Sequence, residues 1–291
     1  MVERAREFIL DGGNGVRLLA YHSYHAEGLA KAMVVLLHGW EGSSDSTYIL
    51  RTGRFLYRRG YDILRLNLRD HGDSHHLNEG MFNGTLVDET VTAVKNASFL
   101  SPGLPRFIVG FSLGGNFALR MARSRNGIPV ENLRCAICIS PLVDPHRSTL
   151  IIDSLPLYRH YFLRKWKRSI RRKQELFPHI YQMDDLLRLK STMEISDLLI
   201  RRYSDFKDLH DYFSRYTLQR ENLRDLAVPT IILASEDDPV IPVDDVRSLA
   251  GIPRLQQSIQ RWGGHCGFIE SLAGKSWYEE VVYGIIEKSL T

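Results

Sequence analysis

Residues 107–122 constrain this chain more than any other stretch. The apolar run Phe107-Ile108-Val109 reads as a buried strand, and Gly115 to Ala122 reads as a helix. Between them lies Gly110-Phe111-Ser112-Leu113-Gly114, a serine framed by glycines at a strand-to-helix turn. So sharp a turn leaves no room for side chains on its inner flanks, which requires glycine at both positions. It lifts the serine hydroxyl above the sheet and aims the following helix N-terminus at the same point.

A serine alone is a weak nucleophile. It needs a base, the base needs an orienting group, and an oxyanion needs donors. The expected base is His265, in the glycine-rich loop Trp262-Gly263-Gly264-His265-Cys266-Gly267 after the strand-like 255–261. The expected acid follows the strand 229–234, in Ser235-Glu236-Asp237-Asp238-Pro239. Asp238 ranks first because it stands three residues after a small residue and directly before a turn residue. Asp237 ranks second, and Asp144, after the strand 135–142, ranks third. The losing carboxylates are expected to serve as turn or capping groups. The order Ser, Asp, His along the chain is that of the strand-to-helix serine hydrolases. Oxyanion donors are expected from the backbone N–H of Trp40, in the loop after the apolar strand 32–37, and from that of Leu113. The Trp40 ring is expected to wall an acyl pocket and pack beneath a lid, and His38 to brace the loop.

These four elements resemble those of the α/β-hydrolase superfamily. Within it, His38-Gly39-Trp40-Glu41-Gly42-Ser43-Ser44, Tyr48-Ile49 and Gly110 to Asn116 resemble the YheT-like branch of bacterial esterases and ABHD-type hydrolases. The similarity runs from about Phe8 to the C-terminus. One departure stands out: Asn67-Leu68-Arg69-Asp70-His71-Gly72 carries Asp70 where the branch commonly has an Arg-Gly-His-Gly turn. The resemblance implies an α/β-hydrolase fold, with about eight mostly parallel strands, helices on both faces and a helical cap.

The order of patterns agrees. A hairpin over 7–10 and 16–24 precedes strands near 33–37, 62–68, 107–111, 135–139, 230–234 and 255–261. Helical patterns fall at 47–59, 85–100, 243–250 and 272–288. The stretch 145–226 is helical in pattern and contains no convincing strand, so residues 1–144 and 227–291 are expected to form the core and 145–226 the cap. A hydrophobic content of 44% supports a large core, and a net charge of +4 is too modest to suggest nucleic acid. Three cysteines give no disulfide framework. Cys135 and Cys138 should face opposite sides of one strand, and Cys266 should pack. Met1 to Glu7 carries mixed charges with no apolar run behind it, and no stretch is long and apolar enough to span a bilayer; a cytoplasmic enzyme is the expectation.

Asp70, His71, Asp73, His75 and His76 cluster without the HxHxDH spacing of metallo-β-lactamases, and a structural turn is expected there. No metal or cofactor is expected. In the cap, the basic runs 164–168 and 171–173 accompany Tyr158, Tyr161, Phe162, Trp166 and Ile170 at helical spacing. The first reading is a cap helix with its aromatic face on the core and its basic face in water. The second is weak contact with an anionic membrane surface, or attraction of an acidic substrate. The expected reaction is hydrolysis of a small-molecule acyl ester through an acyl-enzyme. Thioester hydrolysis, acyl transfer with the same triad, and non-catalytic binding of an apolar ligand are the alternatives. Oligomeric state is not legible.

Overall fold

Strands buried at every residue must be covered on both faces, and this chain has three near the middle of its sheet. In the computed structural model, which describes residues 1–26, 29–123, 130–270 and 275–291, β3 (Met33–Leu37), β4 (Asp62–Leu66) and β5 (Arg106–Phe111) are buried at every residue. The other strands are β1 (Ala5–Gly13), β2 (Val16–Ser23), β6 (Leu133–Ile139), β7 (Thr230–Ser235) and β8 (Leu255–Gln260). They form one eight-stranded sheet in the order β1-β2-β4-β3-β5-β6-β7-β8. β1 pairs antiparallel with β2 and β2 with β4, and every other pairing is parallel. The opening hairpin turns through Asn14 and Gly15, both at positive φ, the geometry a tight hairpin of right-twisted strands needs.

Alternation along the strands feeds two cores. Met33, Val35 and Leu37 join one cluster and Val34 and Leu36 the other. The first also takes apolar side chains from α2 (Val87–Asn96), α3 (Leu113–Met121) and α8 (Val243–Arg247). The second takes them from α1 (Thr47–Tyr57) and α9 (Trp277–Leu290). Helices therefore cover both faces. Cys138 lies in the first cluster and Cys135 in the second, on opposite faces of β6. The pattern read as a helix over 272–288 is helical from Trp277, and 271–274 lie outside the described residues.

The segment 145–226 contains α4 (Pro145–Ser154), α5 (Pro156–Leu176), α6 (Thr192–Tyr203) and α7 (Leu209–Ser214), joined by loops and short 3-10 turns. It carries a small core of its own, in which Ile170, Tyr181, Met183, Leu186 and Ile195 are buried together. Asp144 accepts a hydrogen bond from Arg147 N–H at 2.9 Å and caps the first of these helices, with Pro145 in its first turn.

One detail of α5 differs from the sequence reading. Tyr158, Phe162, Trp166 and Ile170 turn inward or lie half-buried, but Tyr161 is 52% exposed and stands on the outer face with the arginines. At 100° per residue, position 161 falls on the same side as 157, 164 and 168, which face solvent.

Candidate active site

Four strand ends bring the site together. The loop after β3 carries Trp40, the turn after β5 carries Ser112, the loop after β7 carries Asp237 and Asp238, and the loop after β8 carries His265. All leave the carboxyl edge of neighbouring parallel strands, where such sheets open a crevice.

Ser112 takes φ 52° and ψ −115°, a strained conformation for a residue with a side chain. The neighbours hold it there. Ser112 N–H donates to Ile139 O at 2.9 Å, and its carbonyl accepts from Asn116 N–H and Leu142 N–H, both at 3.0 Å. A Cβ at position 110 would lie 2.1 Å from Gly114 O, and one at position 114 would lie 2.4 Å from Leu37 O. No other residue fits at either place. Positive φ recurs at Glu41, Ser140 and Cys266 around the same edge, so backbone strain gathers here. The Asn116 carboxamide donates to Leu142 O and Tyr216 O, each at 2.8 Å, tying α3 to the segment above it.

The Ser112 hydroxyl lies 3.0 Å from His265 Nε2. His265 Nδ1 lies 2.9 and 3.1 Å from the two oxygens of Asp238. A proton on Nδ1 satisfies that carboxylate and leaves the Nε2 lone pair for the serine. Burial disfavours the charged form of this ring. The Cys266 sulfur and the Asp238 carboxylate outweigh it, holding the ring well above its ordinary pKa of 6.5. Asp238 Oδ1 also accepts from the N–H groups of Val240 and Ile241, both at 2.9 Å, which fixes the carboxylate. Asp237 points elsewhere: it accepts from Gly263 N–H and Gly264 N–H at 2.8 Å and shapes the loop that holds His265. Asp144 serves as the α4 cap described above.

The amides of Trp40 and Leu113 have no hydrogen-bond partner among the described residues. Leu113 opens α3, so its N–H is one of the first-turn donors a helix cannot satisfy itself. A Cβ on Gly39 would come within 3.2 Å of Ser112 Cβ, which shows how closely the β3 loop approaches the serine. That loop is braced from three sides. The buried His38 ring donates from Nδ1 to Gly39 O at 2.8 Å and accepts Leu68 N–H at Nε2. Its burial pushes its pKa down to about 4 and keeps it neutral. Gly39 N–H donates to the Tyr48 hydroxyl at 2.9 Å, and Lys165 Nζ reaches from α5 to Glu41 O at 3.0 Å. Sequence reasoning missed Tyr48 and Lys165 as supports. Lys165 was hidden in a basic run that reads as solvated.

Two cavities meet at Ser112. The larger, about 550 Å³, is walled by Trp40, Leu157, Tyr158, Tyr161, Phe162 and Ile269 among others. The smaller, about 100 Å³, lies on the other side of Trp40 and Phe162 and is lined by Phe82, Ile152, Trp166, Phe213 and Ile241. The Trp40 ring stacks on Phe162 at 5.0 Å and meets Trp166 edge-on at 5.0 Å, forming the partition between them.

In the acidic and histidine cluster of 70–76, Asp70, His71 and His75 are engaged with the protein, while Asp73 and His76 are exposed. Asp70 pairs with Lys173 Nζ at 2.9 Å, His71 Nδ1 lies 2.7 Å from Arg69 O, and His75 Nε2 lies 2.7 Å from Ser169 Oγ. Lys173 also donates to Asn78 O and Gly80 O. Asp70 thus anchors α5 from beneath.

Sheet order, strained serine turn and crevice together define an α/β-hydrolase. Residues 28–258 match the family described as "Serine aminopeptidase, S33", and the chain belongs to that family. The chain is similar to relatives that include YheT- and ABHD-type hydrolases. It is 27% identical over 258 residues to "Putative esterase YheT" of Escherichia coli, covering 86% of this chain and 74% of that one. It is 23% identical to "Monoacylglycerol lipase" of Saccharomyces cerevisiae, over 92% of this chain and 62% of the other. For "Phospholipase ABHD3" of Mus musculus the identity is 21%, over 90% of this chain and 63% of the other. The chain therefore spans less than two thirds of the yeast and mouse relatives. Among solved structures, an esterase of Pyrococcus furiosus superposes with a TM-score of 0.67 at 15% identity, over 99% of this chain and 91% of that one, a likeness of fold. Among the described residues no helix is long and apolar enough to cross a membrane.

Proposed function

We propose that this protein cleaves carboxylic esters by covalent catalysis, with Ser112 as nucleophile, His265 as general base and acid, and Asp238 as the orienting carboxylate. The observation that carries this reading is the continuous hydrogen-bonded chain from Ser112 Oγ through both nitrogens of His265 to Asp238, set where two apolar cavities meet. His265 Nε2 takes the hydroxyl proton as Ser112 Oγ attacks the ester carbonyl. The imidazolium that forms is stabilised by Asp238. The amides of Trp40 and Leu113 receive the oxyanion. Collapse of the tetrahedral intermediate breaks the bond to the alkoxy oxygen, and His265 protonates the departing alcohol. Water then repeats the sequence on the acyl-enzyme and releases the acid. The partition formed by Trp40 gives the acyl and alcohol portions separate apolar lodgings, which favours an acyl substrate over a peptide. The names of the esterase and lipase relatives support the same substrate class, and the segment 145–226 acts as the cap over the site.

Labelling with a fluorophosphonate, on the wild type and on Ser112→Ala, tests this reading. The wild type should become covalently labelled and hydrolyse short p-nitrophenyl esters, and Ser112→Ala should do neither. Equal labelling of the two proteins, or a folded wild type that resists labelling, would overturn it. Faster turnover of acyl-CoA than of oxygen esters would move the substrate class to thioesters.

A further inference from the structure

We propose that the outer face of α5, together with Ile269, docks this protein on an anionic lipid bilayer with the larger cavity opening toward the membrane. The helix is roughly 30 Å long. Positions 157, 161, 164, 168, 171 and 172 fall within an arc of about 100° and are all exposed. The face is divided along its length. Its first turns carry Leu157, 84% exposed, and Tyr161, 52% exposed. Its later turns carry Arg164, Arg168, Arg171 and Arg172. No carboxylate lies within 4 Å of the first three among the described residues. Arg172 has Glu175 at 3.9 Å on the same face, and Asp45 and Asp73 line the pocket beside Arg168 and Arg171.

The apolar end coincides with the cavity. Leu157 and Tyr161 line its mouth, and so does Ile269, 72% exposed, four residues beyond His265. Large aliphatic side chains held in water at a cavity rim are costly unless something apolar covers them. The inward face of the same helix is already committed, to Trp40 through Phe162 and Trp166 and to Asp70 through Lys173. The outward side chains are therefore not needed to hold the cap in place. Charge decides the occupant. A row of arginines beside an apolar rim matches a surface with anionic headgroups over acyl chains. In that orientation an acyl chain passes from bilayer to cavity without crossing water. Docking is read without turnover, so it stands or falls apart from the ester-cleaving reading.

Co-sedimentation of the whole protein with vesicles tests the proposal. Vesicles of phosphatidylcholine mixed with phosphatidylglycerol should bind it, and phosphatidylcholine alone should bind it more weakly. Binding should weaken as salt is raised. Each arginine near an anionic surface contributes roughly fivefold to partitioning, so Arg168→Glu with Arg171→Glu should lower it by at least about 25-fold. These two side chains lie outside the reacting site, so hydrolysis of a small soluble ester should persist and report a folded protein. Leu157→Asp with Ile269→Asp, checked for folding by circular dichroism, should lower binding at least about tenfold. Failure of the wild type to bind anionic vesicles would overturn the proposal. So would binding that neither pair of substitutions changes. A dimer in light scattering that Leu157→Asp abolishes would assign this face to a second copy of the chain instead.

Discussion

Lys173→Met is the substitution whose outcome can be worked furthest from the structure. Lys173 is 1% exposed, and its ammonium places its three protons on Asp70 Oδ1 at 2.9 Å, Asn78 O at 2.6 Å and Gly80 O at 3.1 Å. Asp70 in turn accepts Phe82 N–H at 2.8 Å through Oδ2. Methionine fills much of the same space but leaves a buried carboxylate with no cation and two carbonyls with no donor. Removing one partner of such a pair costs about 3–5 kcal/mol. For a chain of this size, a melting temperature lower by roughly 6–10 °C follows. The pH dependence has a definite sign. Burial already holds Asp70 above its usual carboxylate range, with Lys173 acting against that shift. Without Lys173 the folded-state pKa rises further, so the penalty is present while Asp70 is ionised and is relieved as it protonates. The gap in melting temperature between wild type and variant should therefore narrow from about pH 8 to about pH 5. Adding Asp70→Asn to Lys173→Met removes the buried charge and should recover most of the loss. Differential scanning fluorimetry across pH measures all of this. A single variant that loses less than about 1 kcal/mol, or a gap independent of pH, would refute the reasoning.

Asp238→Asn should lower ester turnover by about 10⁴, by analogy with other serine triads, whereas Asp237→Asn should cost about tenfold or less, because an amide oxygen can still accept Gly263 and Gly264 N–H; steady-state kinetics on the two variants compares them. The acid limb of kcat/KM should have its midpoint above 6.5, since activity is lost as His265 takes up a proton and its pKa is held well above that value. In Asp238→Asn the same limb, followed through the rate of fluorophosphonate labelling, should move to lower pH, because the carboxylate that stabilises the imidazolium is gone. Lys165→Met, which removes the bond to Glu41 O, should lower kcat about tenfold with little change in KM for a small soluble ester, as expected of a group that positions an oxyanion donor; a rise in KM alone would show that Lys165 acts on substrate binding.

The turn at Ser112 was legible because its causes are local. Clashes at positions 110 and 114 lie within a few residues or with the adjacent strand, and a buried parallel strand announces itself as an unbroken apolar run. The mostly parallel sheet and the helices on both faces followed from alternating periodicities, whereas the order of the strands within the sheet came only from the fold. The choice between Asp237 and Asp238 was of another kind. The two are neighbours in sequence and identical in chemistry, and only the path of the loop after β7 sends one to His265 and the other to the Gly263 and Gly264 amides. The basic stretch of α5 shows the limit most plainly. A run of arginines and lysines reads as one solvated face, yet Lys165 braces the Trp40 loop and Lys173 is buried against a carboxylate 103 residues away. Tyr161 turned outward although its spacing suggested the core. Periodicity in a sequence records which faces are apolar. It carries no record of which buried charge finds a partner across the fold, because that pairing depends on distances that exist only once the chain has closed on itself.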